Sequence, residues 1–256
     1  MRKPEDPPSF VVRTESQKAA SSNGFRLEHG TSNGWLRFAS TTSQVGVWIA
    51  GASKDGPWFL SVDRPEVGAE CGLSFASDLK CPGVAAFSFD SLQGLYNALE
   101  RIYRLGVSLP DAPLKAYRAA VDDLPRGTEA ERLTVQRVGQ EIFRRALLAY
   151  WGGRCPLTGI TDIQLLRASH IVPWAKCETD EKRLDVHNGL LLSALWDAAF
   201  DAGLVSFTDE GDAIYSSRLN ETTIAALRSS SVDKLDALTK FHCENLAWHR
   251  SRHAFV

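Results

Sequence analysis

Three polar residues, His170, Asn188 and Asp197, follow one another across a short apolar stretch with spacing that suits hydrolytic chemistry. His170 lies in the strand-like run IQLLRASHIV, Asn188 precedes the apolar run GLLLS, and Asp197 lies in the helix-like run ALWDAAFD. A neutral imidazole near its ordinary pKa of ~6.5 can take a proton from water at pH 7. A carboxylate on a neighbouring helix suits a hard divalent cation such as Mg²⁺. The pattern indicates a general base beside a lightly held metal ion.

Each of these residues also has a purely structural interpretation. A single histidine after an apolar strand is often a hydrogen-bonded structural residue, and Asn-Gly is a common turn. Asp197 would then be an exposed helix residue, and we expect Asp201 to serve the turn at Gly203. The residues alone leave both interpretations open.

The elements around these residues are predicted in the order strand, loop, strand, helix. A preceding helix covers EAERLTVQRVGQEIFRRALLAYWGG and is stopped by Gly152 and Gly153. The apolar run before Pro173 predicts the first strand, GLLLS the second, and Ser193 is the expected N-cap of the helix that follows. This arrangement would hold the three polar groups on one small apolar scaffold.

The remainder of the chain predicts an α+β fold in two domains. Runs such as FVVRT, NGWLRFAS, VGVWIAG and GPWFLSV are rich in Val, Trp and Phe and are broken by Gly, Asn and Ser, which is typical of a small sheet. From DSLQGLYNALERIYRLG onward the apolar period becomes helical. The Pro, Gly and charged residues of DDLPRGTEAE mark a boundary, giving domains 1–124 and 125–256.

Charge and cysteine usage restrict the class of protein. The net charge of −2 gives no global sign of a nucleic-acid partner, but residues 126–176 hold eight Lys/Arg against four Asp/Glu. The alternative for this basic block is an ordinary solvated helix face. The five scattered cysteines form no CxxC pair and predict neither disulfides nor a four-cysteine zinc site. No apolar run approaches ~20 residues and the start lacks a secretory signal, so we expect a cytoplasmic protein without a membrane span.

The segment from about Val135 to Phe207 resembles the HNH endonuclease family, in particular its bacterial restriction-type branch. The shared motifs are QEIFRR, CPLTG, ASHIVPW and NGLLLSALWDAAFDAGLVSF, followed near the end by NLAWHRSRHAF. The resemblance implies a ββα-metal nuclease fold in the C-terminal half. It also implies that His170 is the general base, that Asn188 fixes the loop, and that Asp197 binds a divalent metal, Mg²⁺ with Mn²⁺ or another divalent cation as alternatives.

Two departures from the family pattern affect the expected metal chemistry. Ser169 stands where many members carry an Asp, Glu or His metal ligand, and a serine is a poor ligand. We therefore expect Asp197, water and the DNA phosphate to hold the metal, with His187 or Asn188 as additional ligands. Many relatives also carry two CxxC pairs for zinc, whereas only Cys155 remains here, so no structural zinc is expected.

The resemblance gives the basic block a function. Arginine suits bidentate phosphate contact, and the candidates for DNA binding are Arg144, Arg145, Arg154 and Arg167. Arg144 and Arg167 are the strongest of these, and a salt bridge to Asp or Glu is the alternative.

The whole chain is thus predicted to be a cytoplasmic, metal-dependent DNA endonuclease for restriction or defence, with residues 1–124 recognising the target. Trp35, Trp48 and Trp58 could stack on a base, although core packing is the alternative. A homodimer would supply two active sites for cutting both strands. Other hypotheses are a DNA-binding protein with a decayed nuclease site, suggested by Ser169, and a nuclease effector whose N-terminal half binds a protein.

Overall fold

The computed structural model of the chain divides into two compact units, Met1–Ala112 and Pro113–Val256. It describes residues 3–109, 111–125, 127–229, 232, 234–235 and 238–255. The predicted boundary after residue 124 falls somewhat later than this division. The helix before that boundary packs within the second unit, since Tyr117 closely approaches Gly139. Arg126, the first residue of the predicted basic block, lies outside the described residues.

A five-stranded antiparallel meander forms the sheet of the N-terminal unit. Its strands, in spatial and chain order, are β1 (Leu27–Ser32), β2 (Trp35–Ala39), β3 (Val47–Gly51), β4 (Trp58–Val62) and β5 (Ala85–Phe89). Strands β2, β3 and β4 confirm the strands predicted at NGWLRFAS, VGVWIAG and GPWFLSV. The turn between β1 and β2 uses Asn33 and Gly34, both with positive φ, as a tight two-residue hairpin requires.

The helices of this unit are α1 (Phe10–Ser22), α2 (Pro65–Glu70) and α3 (Leu92–Ser108). The prediction of a strand at FVVRT is wrong, because these residues open α1. Ser9 caps the helix by accepting a hydrogen bond from the Val12 backbone N–H, and the good helix formers that follow carry it onward. The valines fall in its first turn, where the cap outweighs their β propensity.

The two faces of the N-terminal sheet are covered differently. Leu36, Ile49 and Leu60 are neighbours across β2, β3 and β4 and are fully buried on one face. Helices α1 and α3 contact β3 and β4 respectively. The opposite face carries a smaller cluster that includes Trp35 and Phe59, with Trp48 only partly buried beside it. This second face is therefore the more open one.

The C-terminal unit is built around a ββα arrangement. Its elements in chain order are α4 (Ala112–Val121), α5 (Glu129–Tyr150), β6 (Leu166–His170), α6 (Asp180–Leu184), β7 (Gly189–Ser193), α7 (Ala194–Asp201), β8 (Val205–Phe207), β9 (Ala213–Tyr215), α8 (Glu221–Ser229) and α9 (Lys240–Arg252). Strands β6 and β7 pair antiparallel, and α7 follows β7 directly. The α+β prediction is confirmed.

Local chemistry explains the bounds of these elements. Helix α5 begins with a capping box between Thr128 and Glu131 and ends before Gly152 and Gly153, which have positive φ. Strand β7 and helix α7 coincide with the predicted runs. Ser193 occupies the predicted N-cap position of α7, but its side chain makes no capping hydrogen bond.

The core of the C-terminal unit lies between the hairpin, α7 and the short β8–β9 hairpin. Trp196, Phe200 and Phe207 are fully buried there, and Phe207 stacks on both of the others. Among the described residues, no helix is long and apolar enough to cross a membrane.

Candidate active site

His170, the last residue of β6, is held between aromatic rings. Its imidazole stacks on Phe143 of α5, with ring centroids 3.8 Å apart and an interplanar angle of 18°. Trp174 meets the same imidazole edge-on at 5.7 Å. These contacts fix the plane of the ring and remove much of it from water.

A backbone carbonyl determines which ring nitrogen of His170 carries the proton. Its Nε2 lies 2.9 Å from the Arg183 carbonyl oxygen, which can only accept a hydrogen bond. The neutral ring therefore holds its proton on Nε2 and keeps a lone pair on Nδ1. Burial lowers the pKa of His170 to about 4, although the Arg183 carbonyl acts in the opposite direction. The expectation of an ordinary imidazole pKa is thus wrong, but the ring is still neutral and able to accept a proton at pH 7.

Asn188 anchors the loop that joins β6 to β7. Its side chain is fully buried, and its Oδ1 accepts a hydrogen bond from the Val172 backbone N–H at 2.8 Å. Its Nδ2 donates to the carbonyl oxygens of Val172 and Lys182, each at 3.1 Å. Because these bonds use the oxygen and both protons of the amide, Asn188 ties both ends of the loop together.

Ser169, Asp197 and Asp201 form a polar cluster between β6 and α7. The buried Ser169 hydroxyl donates to Asp197 Oδ1 at 2.8 Å and lies 3.4 Å from Asp201 Oδ1. The two aspartates are four residues apart and thus share one face of α7. Partial burial, together with the charge of Asp197, raises the pKa of Asp201. The two carboxylates repel each other electrostatically, and a bound cation would offset this repulsion.

This donor set fits a lightly held divalent cation. Mg²⁺ is commonly bound through one or two carboxylates with water and phosphate completing its shell. Nowhere in the described part of the chain do three or more His, Cys, Asp or Glu side chains group to form a metal site. Asp197 and Asp201 therefore offer a two-carboxylate site with the Ser169 hydroxyl beside it.

The two additional ligands considered above are engaged elsewhere. The amide of Asn188 is used within the protein, and the His187 Nδ1 lies 2.8 Å from Asp185 Oδ1. Burial acts to raise the pKa of Asp185, but hydrogen bonding and charge interaction with His187 outweigh it and lower that pKa. Cys155, the remaining member of the zinc motifs, is buried in the apolar core.

The four arginines predicted to bind DNA differ in their exposure and in the hydrogen bonds that their side chains make within the protein. Both terminal nitrogens of Arg144 donate to backbone carbonyls, those of Leu166 and Ile163, at 2.9 and 2.8 Å. Arg167 is exposed, and its Nη1 donates to the Gln164 and Leu166 carbonyls. Arg145 and Arg154 are exposed. Arg144 thus braces the start of β6, while Arg145 and Arg154 extend into solvent.

The C-terminal motif NLAWHRSRHAF supports the loop and the core from α9. Asn245 donates from Nδ2 to the His187 carbonyl at 2.8 Å and accepts a hydrogen bond from the Lys182 ammonium. His249 stacks on Phe200, with centroids 3.9 Å apart, and hydrogen-bonds to Ser206. The motif therefore has a bracing role.

Sequence reasoning missed three features of the site. Asp201 was assigned to a turn, although its spacing of four from Asp197 could have signalled a shared helix face. The Arg183 carbonyl and the Phe143 ring were not identified as partners of His170, because no local sequence pattern predicts these contacts. Both come from segments distant from His170 in sequence.

The match to a known family agrees with this geometry. Residues 155–208 match the model of a family described as HNH endonuclease. The matched residues include β6, β7 and α7, so the C-terminal half carries an HNH endonuclease domain, which supports nuclease activity in general. The resemblance predicted from the motifs is confirmed, although α5 lies outside the match. No curated protein matches the chain.

Proposed function

We propose that the chain is a metal-dependent DNA endonuclease whose C-terminal domain hydrolyses phosphodiester bonds, with His170 as the general base. The observation that carries this proposal is the hydrogen bond from His170 Nε2 to the Arg183 carbonyl, which leaves the Nδ1 lone pair available.

His170 would act on the water that attacks the scissile phosphate. Its Nδ1 accepts the proton of that water while Nε2 keeps its own proton on the Arg183 carbonyl. Stacking on Phe143 holds the ring still during the transfer. A positioned base of this kind contributes roughly 10²–10⁴-fold to the rate.

Asp197 and Asp201 would hold the divalent cation, which we take to be Mg²⁺, with Mn²⁺ as an alternative. Such a cation supplies charge neutralisation at the scissile phosphate and the leaving oxygen. The Ser169 hydroxyl orients the Asp197 carboxylate by donating to Oδ1.

Phosphate contacts are assigned to Arg145, Arg154 and the unengaged nitrogens of Arg167. Arg167 and Ser169 are two residues apart on β6 and therefore project on the same side of the strand. Arg144 is assigned no phosphate contact; its proposed role is to support the start of β6 through its hydrogen bonds to the Leu166 and Ile163 carbonyls.

The biological setting that we propose is restriction of, or defence against, foreign DNA in the cytoplasm, with the N-terminal unit recognising the target. Nuclease domains contact phosphates that carry no sequence information, so selectivity has to come from a second module. Cutting both strands calls for two active sites, and we propose a homodimer for that purpose.

A DNA-binding protein with a decayed nuclease site is the second candidate, and Ser169 is the observation that favours it. Incubating the protein with plasmid DNA and Mn²⁺ or Mg²⁺, with and without EDTA, separates the two. We expect nicked or linear DNA that EDTA prevents. Binding without cleavage at any metal concentration would favour the decayed site.

A further inference from the structure

The open face of the N-terminal sheet carries a pocket with an aromatic floor. The cavity measures about 860 Å³, within the ~300–1,000 Å³ typical of sites for one small molecule. We call it the tryptophan pocket; the residues that matter here are Lys3, Asp6, Ser32, Trp35, Trp48 and Lys80.

One wall of the tryptophan pocket is the segment before α1, which is fastened in place. The Glu5 backbone N–H donates to the Gly51 carbonyl at 2.8 Å at the end of β3. The same segment packs on the β1–β2 turn, where a Cβ added to Gly34 would lie 2.6 Å from the Glu5 carbonyl oxygen. The wall is therefore part of the fold.

The opposite wall is the loop between α2 and β5, which is fastened just as firmly. The Ala76 N–H donates to the Ala86 carbonyl, the Val84 N–H to the Val62 carbonyl, each at 2.8 Å. Leu79 is buried against the aromatic cluster. The pocket thus has two anchored walls and a floor on the sheet.

The floor offers a surface suited to stacking. Trp35 is almost fully buried beneath the pocket and packs on Phe59, whereas Trp48 keeps part of its ring exposed. The Arg37 guanidinium lies 5.4 Å from the centroid of the Trp48 ring. A planar ligand in the cavity would meet the exposed part of the Trp48 indole, a ring on which bases stack.

The charges around the pocket favour a base over a free nucleotide. The exposed ammonium groups of Lys3 and Lys80 are balanced by the carboxylates of Glu5 and Asp6. A free, multiply charged nucleotide would meet as many carboxylates as ammonium groups among the described residues that line the pocket. A neutral base would instead find an acceptor for its N–H groups in Asp6, while backbone phosphates outside the pocket contact the lysines.

We propose that the tryptophan pocket receives a single DNA base extruded from the double helix, with Trp48 as its stacking surface. This proposal rests on the proposed action on DNA and identifies what the N-terminal unit reads. Because extrusion costs unpairing energy, a base that is already mismatched is received more readily.

Binding to two duplexes that differ only in one central mismatch tests the proposal. The full-length protein is measured in EDTA, so that no DNA is cut. We expect the mismatched duplex to bind about tenfold more tightly than the matched one, and Trp48→Ala to abolish that preference by removing the stack. Trp48→Tyr should retain it. Phe10→Ala, at an exposed position outside the pocket, is the matched control.

A second variant protects the test from a folding defect in Trp48→Ala. Ser32→Leu adds bulk from an exposed position at the pocket and should also abolish the mismatch preference. Equal binding of both duplexes by the unaltered protein, or a preference that survives Trp48→Ala and Ser32→Leu, overturns the proposal. So does Trp48-dependent binding of free mononucleotides without a mismatch preference.

The outcome is separable from that of the proposed function. A protein that cuts plasmid DNA but shows no mismatch preference refutes the base pocket and leaves the nuclease intact. A protein that prefers the mismatch through Trp48 yet never cuts DNA supports the pocket and refutes the nuclease.

Discussion

His170 meets neighbours from three separate segments: Phe143 from α5, Trp174 from the following loop, and the Arg183 carbonyl from the end of α6. The two rings lower its pKa by excluding water, and the carbonyl selects the tautomer. These neighbours therefore set both the pKa and the tautomer of His170. A substitution among them should change the pH at which the ring titrates.

Phe143→Leu should raise the pKa of His170 from about 4 toward ~6.5, because the smaller side chain lets water reach the imidazole. An NMR titration of the His170 ring measures the change directly, and the acid limb of the cleavage profile should move to higher pH with it. Phe241→Leu, at a half-exposed ring that does not touch His170, is the control. An unchanged titration in a folded Phe143→Leu protein would show that the stack does not set this pKa.

The acidic pair on α7 gives a second prediction at this scale. Asp197→Asn should weaken Mn²⁺ binding by about tenfold or more, as even loss of an outer hydrogen-bond partner does. Asp201→Asn should act in the same direction, because both carboxylates flank Ser169. Calorimetric titration with Mn²⁺ measures both. Glu210→Gln, at an exposed position, is the control. Unchanged Mn²⁺ affinity in both aspartate variants would refute the assignment of the cation to Asp197 and Asp201.

At the level of elements, the loop between β6 and β7 depends on one amide. Asn188→Ala leaves the Val172 N–H and the Lys182 carbonyl without their amide partner, while the Val172 carbonyl keeps the Cys177 thiol. Each unsatisfied buried group costs about 1–3 kcal/mol, so we expect the free energy of unfolding to fall by about 2–6 kcal/mol. Urea unfolding measures the loss. A decrease no greater than that of Asn97→Ala, at an exposed helix position, would contradict the anchoring role.

The elements also show what local sequence can and cannot predict. GLLLS and ALWDAAFD were predicted within their observed bounds, because a fully apolar run and a helical run meet at Ser193 without ambiguity. FVVRT was predicted as a strand because the β propensity of its valines was given more weight than the capping potential of Ser9. The capping hydrogen bond of Ser9 in fact starts α1. Strand β5 was missed because AAFSF is short and follows a long loop.

The candidate site follows the same rule. His170, Asn188 and Asp197 could be selected from their types and order, since each lies in or next to an element with a clear local pattern. The depressed pKa of His170 could not be predicted, because Phe143 lies far from it in sequence. The use of Arg144 on backbone carbonyls depended on tertiary structure in the same way.

The whole C-terminal unit should lose stability in mild acid. Burial, as the main cause, lowers the pKa values of His170 and His249 to about 4 and that of His242 to about 3. In the unfolded chain these groups titrate near ~6.5, so below that pH the unfolded state binds more protons. Their contribution to stability is complete above pH ~6.5 and is lost progressively as the pH falls toward 4.

Unfolding measured across this window tests the assignment. Each histidine that gains a proton on unfolding should lower the free energy of unfolding by about 1.4 kcal/mol per pH unit. His249→Gln should reduce the slope by about one proton, and His29→Gln, on the exposed strand β1, is the matched control. A free energy of unfolding that stays constant between pH 6.5 and 4.5 would contradict the buried, neutral state of these rings.

The central claim, that His170 is the base of a working nuclease, is tested most directly by His170→Ala. Cleavage of plasmid DNA, DNA affinity and circular dichroism are measured on one sample, with His29→Gln treated identically. We expect cleavage to fall by about two to four orders of magnitude while affinity and fold remain those of the unaltered protein. A folded His170→Ala protein that cuts at the unaltered rate, or one that loses binding, fold and cleavage together, would contradict the claim.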